Sequence, residues 1–575
     1  MSIDHFSRDL ASLQKLVDAG LFEDCLQAMR GAQPREPAAM REAAPLLSMR
    51  RLCLARLGRF DEAAEAGARL LETEVATTED RFRQAQILLR LGRHREALPL
   101  AIAALLEAPL APRHVATAVE AALLTTGGTA RLSRSLADLP IPAPPPKVTA
   151  RAPVLFPQHL VFNSGRFDHP SIRGLFATVP NIAFEMPDAD PWRLLRHLPT
   201  ALERASSYMA MLLESSPHID PATTACFTAS RLHAWTEPAG DWAFDFLSPY
   251  PASLGQRPWV FCHDALPCLF LPMLPHDDMT VTPDDGLYWI MKRHLESERC
   301  LRILTHQPRT LGGLADFFDS RIIERKSVHV NTWHRSQGRS QRPRPERAKT
   351  WLFTSSFFPS DLFFRMRGGI ETLCAFLTLS KEFPDIELIL RSHLPSSLPD
   401  GLTEAAANHP RIRHYPEAVD ADTLAQLYAE ADLYLMPCPI IYRNGLAEAL
   451  QAGLVPVVAN TFGIEDFVRD GENGLVIGGL ESIARLGSDP PEFVYRTAEL
   501  WSNRMEVRSG FLVELEDRLR RLLRTPEIFA HLAANNRTKP SEMVFGQLDA
   551  TAFADCMHEA LSMASRMHPH TANTG

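Results

Sequence analysis

The sequence predicts three domains in series: an all-α region over residues 1–138, then two α/β domains at 151–334 and 350–565, each a doubly wound parallel sheet, facing one another across a cleft. Three observations carry this. Up to about residue 135, apolar residues recur at three- and four-residue spacing, as in LLSMRRLCLARL and RFRQAQILLRL, the period of helices that bury one face. From 151 onward, short apolar runs alternate with helical stretches, the pattern of a parallel sheet covered on both faces. A basic, proline-containing run interrupts that alternation once, after which it restarts, giving two α/β units rather than one.

The helical region contains an internal repeat. Arg56-Leu57-Gly58-Arg59-Phe60-Asp61-Glu62-Ala63 recurs as Arg90-Leu91-Gly92-Arg93-His94-Arg95-Glu96-Ala97, a period of 34 residues, which matches the tetratricopeptide repeat. Gly58 and Gly92 stand where a first helix must turn into a second, and Ala63 and Ala97 permit close helix crossing. A weaker copy at Ala19 to Asp24 makes three repeats, about the minimum for a stable stack. Such a stack either offers a concave groove to a polypeptide partner or serves as a helical spacer.

Leu139-Pro140-Ile141-Pro142-Ala143-Pro144-Pro145-Pro146 cannot continue a helix, so 139–150 is read as an extended linker. In the first α/β domain the expected strands are PNIAFEM, TTACFTA, RPWVFCHDALP, CLRILTH and SVHVNTW, with a long helix at WRLLRHLPTALERASSYMAMLLE. The run around Arg335 to Pro345 reads as a second linker, 335–349. Beyond it come strands at KTWLFTSSFF, DIELILRS, RIRHY, DLYLMP and VPVVAN, helices at GGIETLCAFLTLSKEF, TLAQLYAEA and AEALQAG, closing helices to 565, and a tail at 566–575.

Composition narrows the function classes. Hydrophobic residues make up 45% and charged residues 22%, values of an ordinary globular chain. A net charge of -9 with dispersed Lys and Arg offers no basic surface for nucleic acid. Nine cysteines form no CxxC pair and no zinc spacing, so reduced, mostly buried thiols are expected. The first residues lack a signal peptide's basic and apolar regions and no run is long enough to span a bilayer, so a cytoplasmic placement is expected, with peripheral membrane contact left open. Asp188, Asp190, Asp277 and Asp278 stand without a His or third acid at ligand spacing, and read as loop carboxylates rather than a metal site.

The chemistry concentrates late in the chain. A helix at Leu424 to Glu430 leads into Ala431-Asp432-Leu433-Tyr434-Leu435-Met436-Pro437, then Asn444-Gly445-Leu446-Ala447-Glu448-Ala449, then Gly453-Leu454-Val455-Pro456-Val457-Val458, then Asp470-Gly471-Glu472-Asn473-Gly474. In this order the segments resemble the retaining, family 4-like glycosyltransferases of the two-Rossmann-domain (GT-B) type, strongly from about 350 to 560. From 151 to 334 the resemblance is weaker and rests on strand order and on VFCHDALP.

Asn444 is expected to cap the following helix, leaving the N–H groups of Gly445, Leu446 and Ala447 to face a diphosphate. By resemblance, Glu448 would accept both hydroxyls of a ribose. Arg365 or Arg367, before Gly368-Gly369, would neutralise the diphosphate, a task for which the forked guanidinium is suited. His263, at the end of Trp259-Val260-Phe261-Cys262, would stand against the donor sugar as in the family, act as a general base in an inverting enzyme, or brace the cleft wall.

The chain departs from the family at Ile440, where a second Glu eight residues before Glu448 usually touches the transferred sugar, and the spacing from Pro437 to Glu448 is one residue short. The resemblance implies hexosyltransferase-like transfer from a nucleotide-diphosphate sugar, with no cofactor and no obligatory metal, to a protein or glycan acceptor docked by the repeats. A GT-B scaffold that binds nucleotide or partner without turnover is the alternative. An epimerase or phosphorylase on the same fold fits the Asn-x-x-x-Glu arrangement less well.

Overall fold

The computed structural model describes residues 3–567 other than 19, 30–37, 138, 143–152, 156–175, 177–178, 180, 186–191, 232–242, 249, 252, 254–256, 264, 272, 274–277, 331–345, 356–360, 396–397, 399, 497–507 and 539–549. The polyproline run 143–150, most of the basic linker, Asp188, Asp190, Asp264 and Asp277 therefore lie outside the described residues.

Among the described residues eight helices come first: α1 (Ile3–Asp18), α2 (Phe22–Met29), α3 (Ala38–Arg56), α4 (Phe60–Leu71), α5 (Thr78–Arg90), α6 (His94–Glu107), α7 (Pro112–Leu124) and α8 (Gly128–Leu136). The 34-residue repeat is visible in detail. Gly58 and Gly92 take φ of +72° and +69°, the left-handed conformation that ends α3 and α5 at no steric cost to glycine. Arg59 then grips Glu62 at 2.6 Å and Arg93 grips Glu96 at 2.7 Å, while Ala63 and Ala97 are wholly buried at the crossings. A buried ion pair, Arg51 to Asp80 at 2.7 Å, ties α3 to α5.

The first α/β sheet contains β1 (Pro153–Leu155), β2 (Ala183–Glu185), β3 (Asp245–Leu247), β4 (Trp259–His263), β6 (Cys300–Thr305) and β7 (Ser327–His329), all parallel, in the order β2-β1-β3-β4-β6-β7. Trp259 and Phe261 of β4 point into one core and Val260 and Cys262 into another, so both faces of the sheet are covered. The segment TTACFTA, expected as a strand, is instead a helix, Pro221–Ala229. The Asp220 carboxylate accepts from the Thr223 N–H at 2.8 Å and Pro221 occupies the first turn, so the local cap overrides the β-branched composition.

The second sheet contains β8 (Thr350–Thr354), β9 (Glu387–Arg391), β10 (Ile412–Tyr415), β11 (Leu433–Met436), β12 (Val455–Ala459) and β13 (Leu475–Ile477), parallel throughout, in the order β10-β9-β8-β11-β12-β13. This is α/β architecture, two parallel sheets preceded by many helices.

Three features depart from a plain series of domains. The core of α1–α8 runs without a break into the first sheet, and Leu139 and Ile141 of the linker pack against it. The last helix, Ala550–Met567, grouped by sequence with the second domain, lies on the first: Phe553, Cys556, Met557 and Ala560 fill the core beneath β3, β4 and β6, and Arg302 pairs with Glu559 at 2.6 Å. Its apolar stripe matches the face of the first sheet that α1–α8 leave open. Finally, β5 (Met279–Val281) of the first domain pairs with a hairpin of the second, β14 (Ala484–Ser488) and β15 (Pro491–Tyr495), in a small antiparallel sheet. All nine cysteines are free thiols, seven of them buried. Among the described residues no helix is long and apolar enough to cross a membrane.

Candidate functional site

Strand order in the second sheet reverses between β8 and β11, and at such a point the carboxyl ends of the strands splay to leave a crevice. The residues delivered there come from separate elements. Thr354 and Ser355 end β8, Arg391 ends β9, Tyr434 stands on β11, and Tyr428 comes from the helix Ala421–Glu430. Arg367 precedes the helix Gly369–Glu382, and Glu448 lies on the second turn of the helix Arg443–Gln451.

Arg367 lies with its guanidinium carbon 3.8 Å from the centre of the Tyr442 ring, and its Nη1 donates to the Thr354 carbonyl at 3.4 Å. Arg391 is 8% exposed and donates Nη1 to the Ser355 carbonyl at 2.7 Å. The Nε of each is buried and has no hydrogen-bond partner among the described residues. Burial pulls the Arg391 guanidinium below its ordinary pKa; the Tyr428, Glu448 and Tyr434 side chains offset this and neighbouring Arg367 adds to it. Burial likewise raises the Glu448 carboxyl above its ordinary value, against the lowering effect of a hydrogen bond from Tyr428 and of the charges on Arg391 and Arg367. The charges of two guanidiniums thus act on one carboxylate in the first turns of a helix, where the backbone dipoles add further positive potential.

The phenols hold this arrangement together. Tyr434 Oη is 3.1 Å from Thr354 Oγ1, and Tyr428 Oη is 3.4 Å from the Gly445 carbonyl. Residue 445 is glycine for a packing reason: a Cβ there would run into the Tyr434 hydroxyl. Burial raises both phenol pKa values, so both stay protonated donors.

The structure moves one expected role. Asn444 is not the cap; the helix starts at Arg443, with Tyr442 flanking it and giving no side-chain cap. Leu446 N–H donates to the Tyr442 carbonyl at 3.3 Å, so hydrogen bonding within the helix begins two residues earlier than a cap at Asn444 implies. Tyr442 is held beneath Arg367 and against Met366 Sδ, which turns the chain into the helix two residues early. Of the two arginines, Arg367 meets Thr354 and Tyr442. Arg365 is buried two residues earlier, in the helix Asp361–Met366, and its carbonyl accepts the Gly368 N–H at 2.9 Å. Ile440 is half-buried, and its carbonyl accepts from Cys438 Sγ at 2.7 Å.

Across the cleft, His263 ends β4. The strand register sets it in a row with Thr305 of β6 and His329 of β7. His263 is 1% exposed, its ring edge-on to Phe261. His329 is held below the ordinary imidazole range, first by burial and then by the charge of Arg443, which places the row opposite the start of the Arg443 helix. His306, next to it, is 2.8 Å from the Val330 carbonyl through Nδ1 and 3.4 Å from Cys262 Sγ through Nε2. Sequence reasoning missed Arg391, Tyr428, Tyr434 and His329; a charged residue closing the apolar strand ELILR was the available signal for Arg391, because strand ends bear function in doubly wound sheets. Among the described residues no group of three or more His, Cys, Asp or Glu is placed to hold a metal ion.

A crevice at the reversal point of a doubly wound sheet, lined by buried arginines and a carboxylate, is the geometry of a domain that binds phosphorylated ligands. Residues 367–502, within the second α/β unit, match the family model of glycosyl transferases group 1. No curated protein matches the sequence. The chain is similar to solved structures that include HepE of Anabaena in complex with UDP and glucose, at 12% identity over 72% of this chain and 100% of that one, TM-score 0.41. They also include sucrose-phosphate synthase of Thermosynechococcus elongatus, at 14% identity over 56% and 74%, TM-score 0.36. A third is the C-terminal domain of LpcC, a glycosyl transferase group 1 family protein of Francisella tularensis, at 12% identity over 33% and 82%, TM-score 0.24.

Proposed function

We propose that the protein transfers a sugar from a nucleoside-diphosphate sugar to an acceptor. The observation that carries this reading is the pair Arg367 and Arg391, each with a buried, unpartnered Nε among the described residues, at the carboxyl ends of β8 and β9 where the strand order reverses, with Glu448 on the helix that starts at Arg443. A diphosphate supplies the negative charge that two guanidiniums and a helix N-terminus lack. Glu448 then accepts the hydroxyls of the ribose, and the leaving diphosphate is stabilised by charge already in place rather than by a metal. The first sheet's strand ends, with His263 and His329, face the transferred sugar and the acceptor.

Retention of anomeric configuration, with the departing phosphate taking the acceptor's proton, follows the resemblance of the second domain. The helical stack, read as tetratricopeptide-like, docks a protein acceptor. One observation favours a second reading: Ile440 puts an apolar side chain where a carboxylate would steady the sugar, as expected of a scaffold that binds nucleotide without turnover. A thermal-shift screen of nucleoside diphosphates and their sugars, repeated on Glu448→Ala, tests donor binding. At least one ligand raises the melting temperature of the wild type and loses that effect in the variant; a full shift in Glu448→Ala removes Glu448 from the site. Binding without release of nucleoside diphosphate in any donor–acceptor pair favours the scaffold.

A further inference from the structure

We infer that the hairpin β14–β15 is a strap that holds the two α/β domains at one separation, so that the donor crevice and the first sheet's strand ends stay opposed before any ligand arrives. The hairpin leaves the second domain after β13 and seats itself in the first. Phe493, Val494 and Tyr495 pair with Val281, Thr280 and Met279 of β5. Phe493 is wholly buried in the core shared by α1–α8 and the first sheet, its ring 4.6 Å from Phe270. Leu486 of β14 reaches Gly313 in the helix Pro308–Phe317, where a Cβ would come within 3.3 Å of it, and Phe462 packs on the same core.

Its other end is tied to the donor crevice. The Ile483 N–H donates to the Pro439 carbonyl at 2.9 Å, in the segment between β11 and the Arg443 helix, and the Phe462 N–H donates to Ser482 Oγ at 2.5 Å. Beside the hairpin, the Asp466 carboxylate accepts the Arg309 N–H at 3.0 Å and so caps a first-domain helix from the second domain, while Glu465 pairs with the Arg309 side chain at 3.0 Å. Arg496 reaches back to Thr280 Oγ1 at 3.4 Å. Backbone pairing, a buried aromatic and a cap therefore cross the cleft at one place, and a rigid-body hinge at 335–349 would have to break all three together. Opening for exchange of ligand then occurs by local movement rather than by separation of the domains.

Small-angle scattering of the full chain, with and without UDP, tests this. The wild type keeps the same radius of gyration in both conditions. A chain with 484–495 replaced by a glycine–serine linker of equal length is larger without UDP, and so is Phe493→Ala, the smaller change held in reserve against misfolding of the first; circular dichroism verifies the fold of each. Contraction of the wild type on adding UDP, or folded variants with wild-type dimensions, overturns the strap. The comparison of ligand-free proteins stands by itself: if UDP binds none of them, the strap is still decided, and the donor reading is judged separately by the nucleoside-diphosphate screen.

Discussion

Arg391→Met separates the role of this arginine in holding the fold from its role in binding anions. In the free protein the guanidinium is an awkward tenant, 8% exposed, beside the like charge of Arg367, and with its pKa depressed chiefly by burial. What it gives the fold is one hydrogen bond, 2.7 Å to the buried Ser355 carbonyl. Losing that partner costs about 1 kcal/mol, offset by no longer burying a cation, so the melting temperature should move by only a few degrees. Binding should respond differently. A charge-assisted bond to phosphate contributes about 1.5–3 kcal/mol, which is roughly a ten- to hundredfold weakening of the nucleoside diphosphate that the wild type binds, at about 1.4 kcal/mol per decade. Isothermal titration across a salt series is the assay, and the variant should also show a shallower salt dependence, having lost one charge from the site. An unchanged affinity in a variant with wild-type stability would refute the reasoning, since it would mean that Arg391 does not face the ligand.

Other consequences can be checked together. Glu448→Gln should stabilise the ligand-free protein at neutral pH, because a carboxyl whose pKa lies above its ordinary 4.5 in the folded state loses stability as pH rises through that window. The advantage of Gln over Glu should vanish in melts below pH about 4, where both states of the wild type are protonated. Gly445→Ala pushes a Cβ into the Tyr434 hydroxyl and should cost about 1–3 kcal/mol, most of it recovered in the double variant with Tyr434→Phe; chemical denaturation of the four proteins gives the coupling. Phe553→Ala removes a ring that is 1% exposed between the last helix and the first sheet, and should cost about 3–5 kcal/mol in the unfolding of the first domain, although it lies near the C-terminus.

These residues also show how far the sequence could be read. Strands β8 to β12 of the second sheet and the helices Gly369–Glu382, Ala421–Glu430 and Arg443–Gln451 follow from apolar runs bounded by turn signals, and so do β4, β6 and β7. The segment TTACFTA misled because its β-branched residues say strand while Asp220 and Pro221, just upstream, say helix, and a satisfied cap decides a nine-residue element. The hairpin β14–β15 carries little alternation of its own; its burial comes from a partner strand some 200 residues away in sequence, which no local window contains. Glu448, and Arg365 or Arg367, were candidates from their place in a motif. Arg391, Tyr428 and Tyr434 were not, since what unites them is the strand order that brings β9, β8 and β11 side by side. The cap at Asn444 slipped by two residues because Tyr442 is held by Arg367, a tertiary contact that local propensity cannot register.

The most direct test is to supply a panel of nucleoside-diphosphate sugars to the wild type and to an Arg367→Ala, Arg391→Met double variant, and to measure release of nucleoside diphosphate. At least one donor should be consumed by the wild type and spared by the folded double variant, with chelator leaving the rate unchanged. Consumption of no donor, or equal consumption by both proteins, would contradict the account.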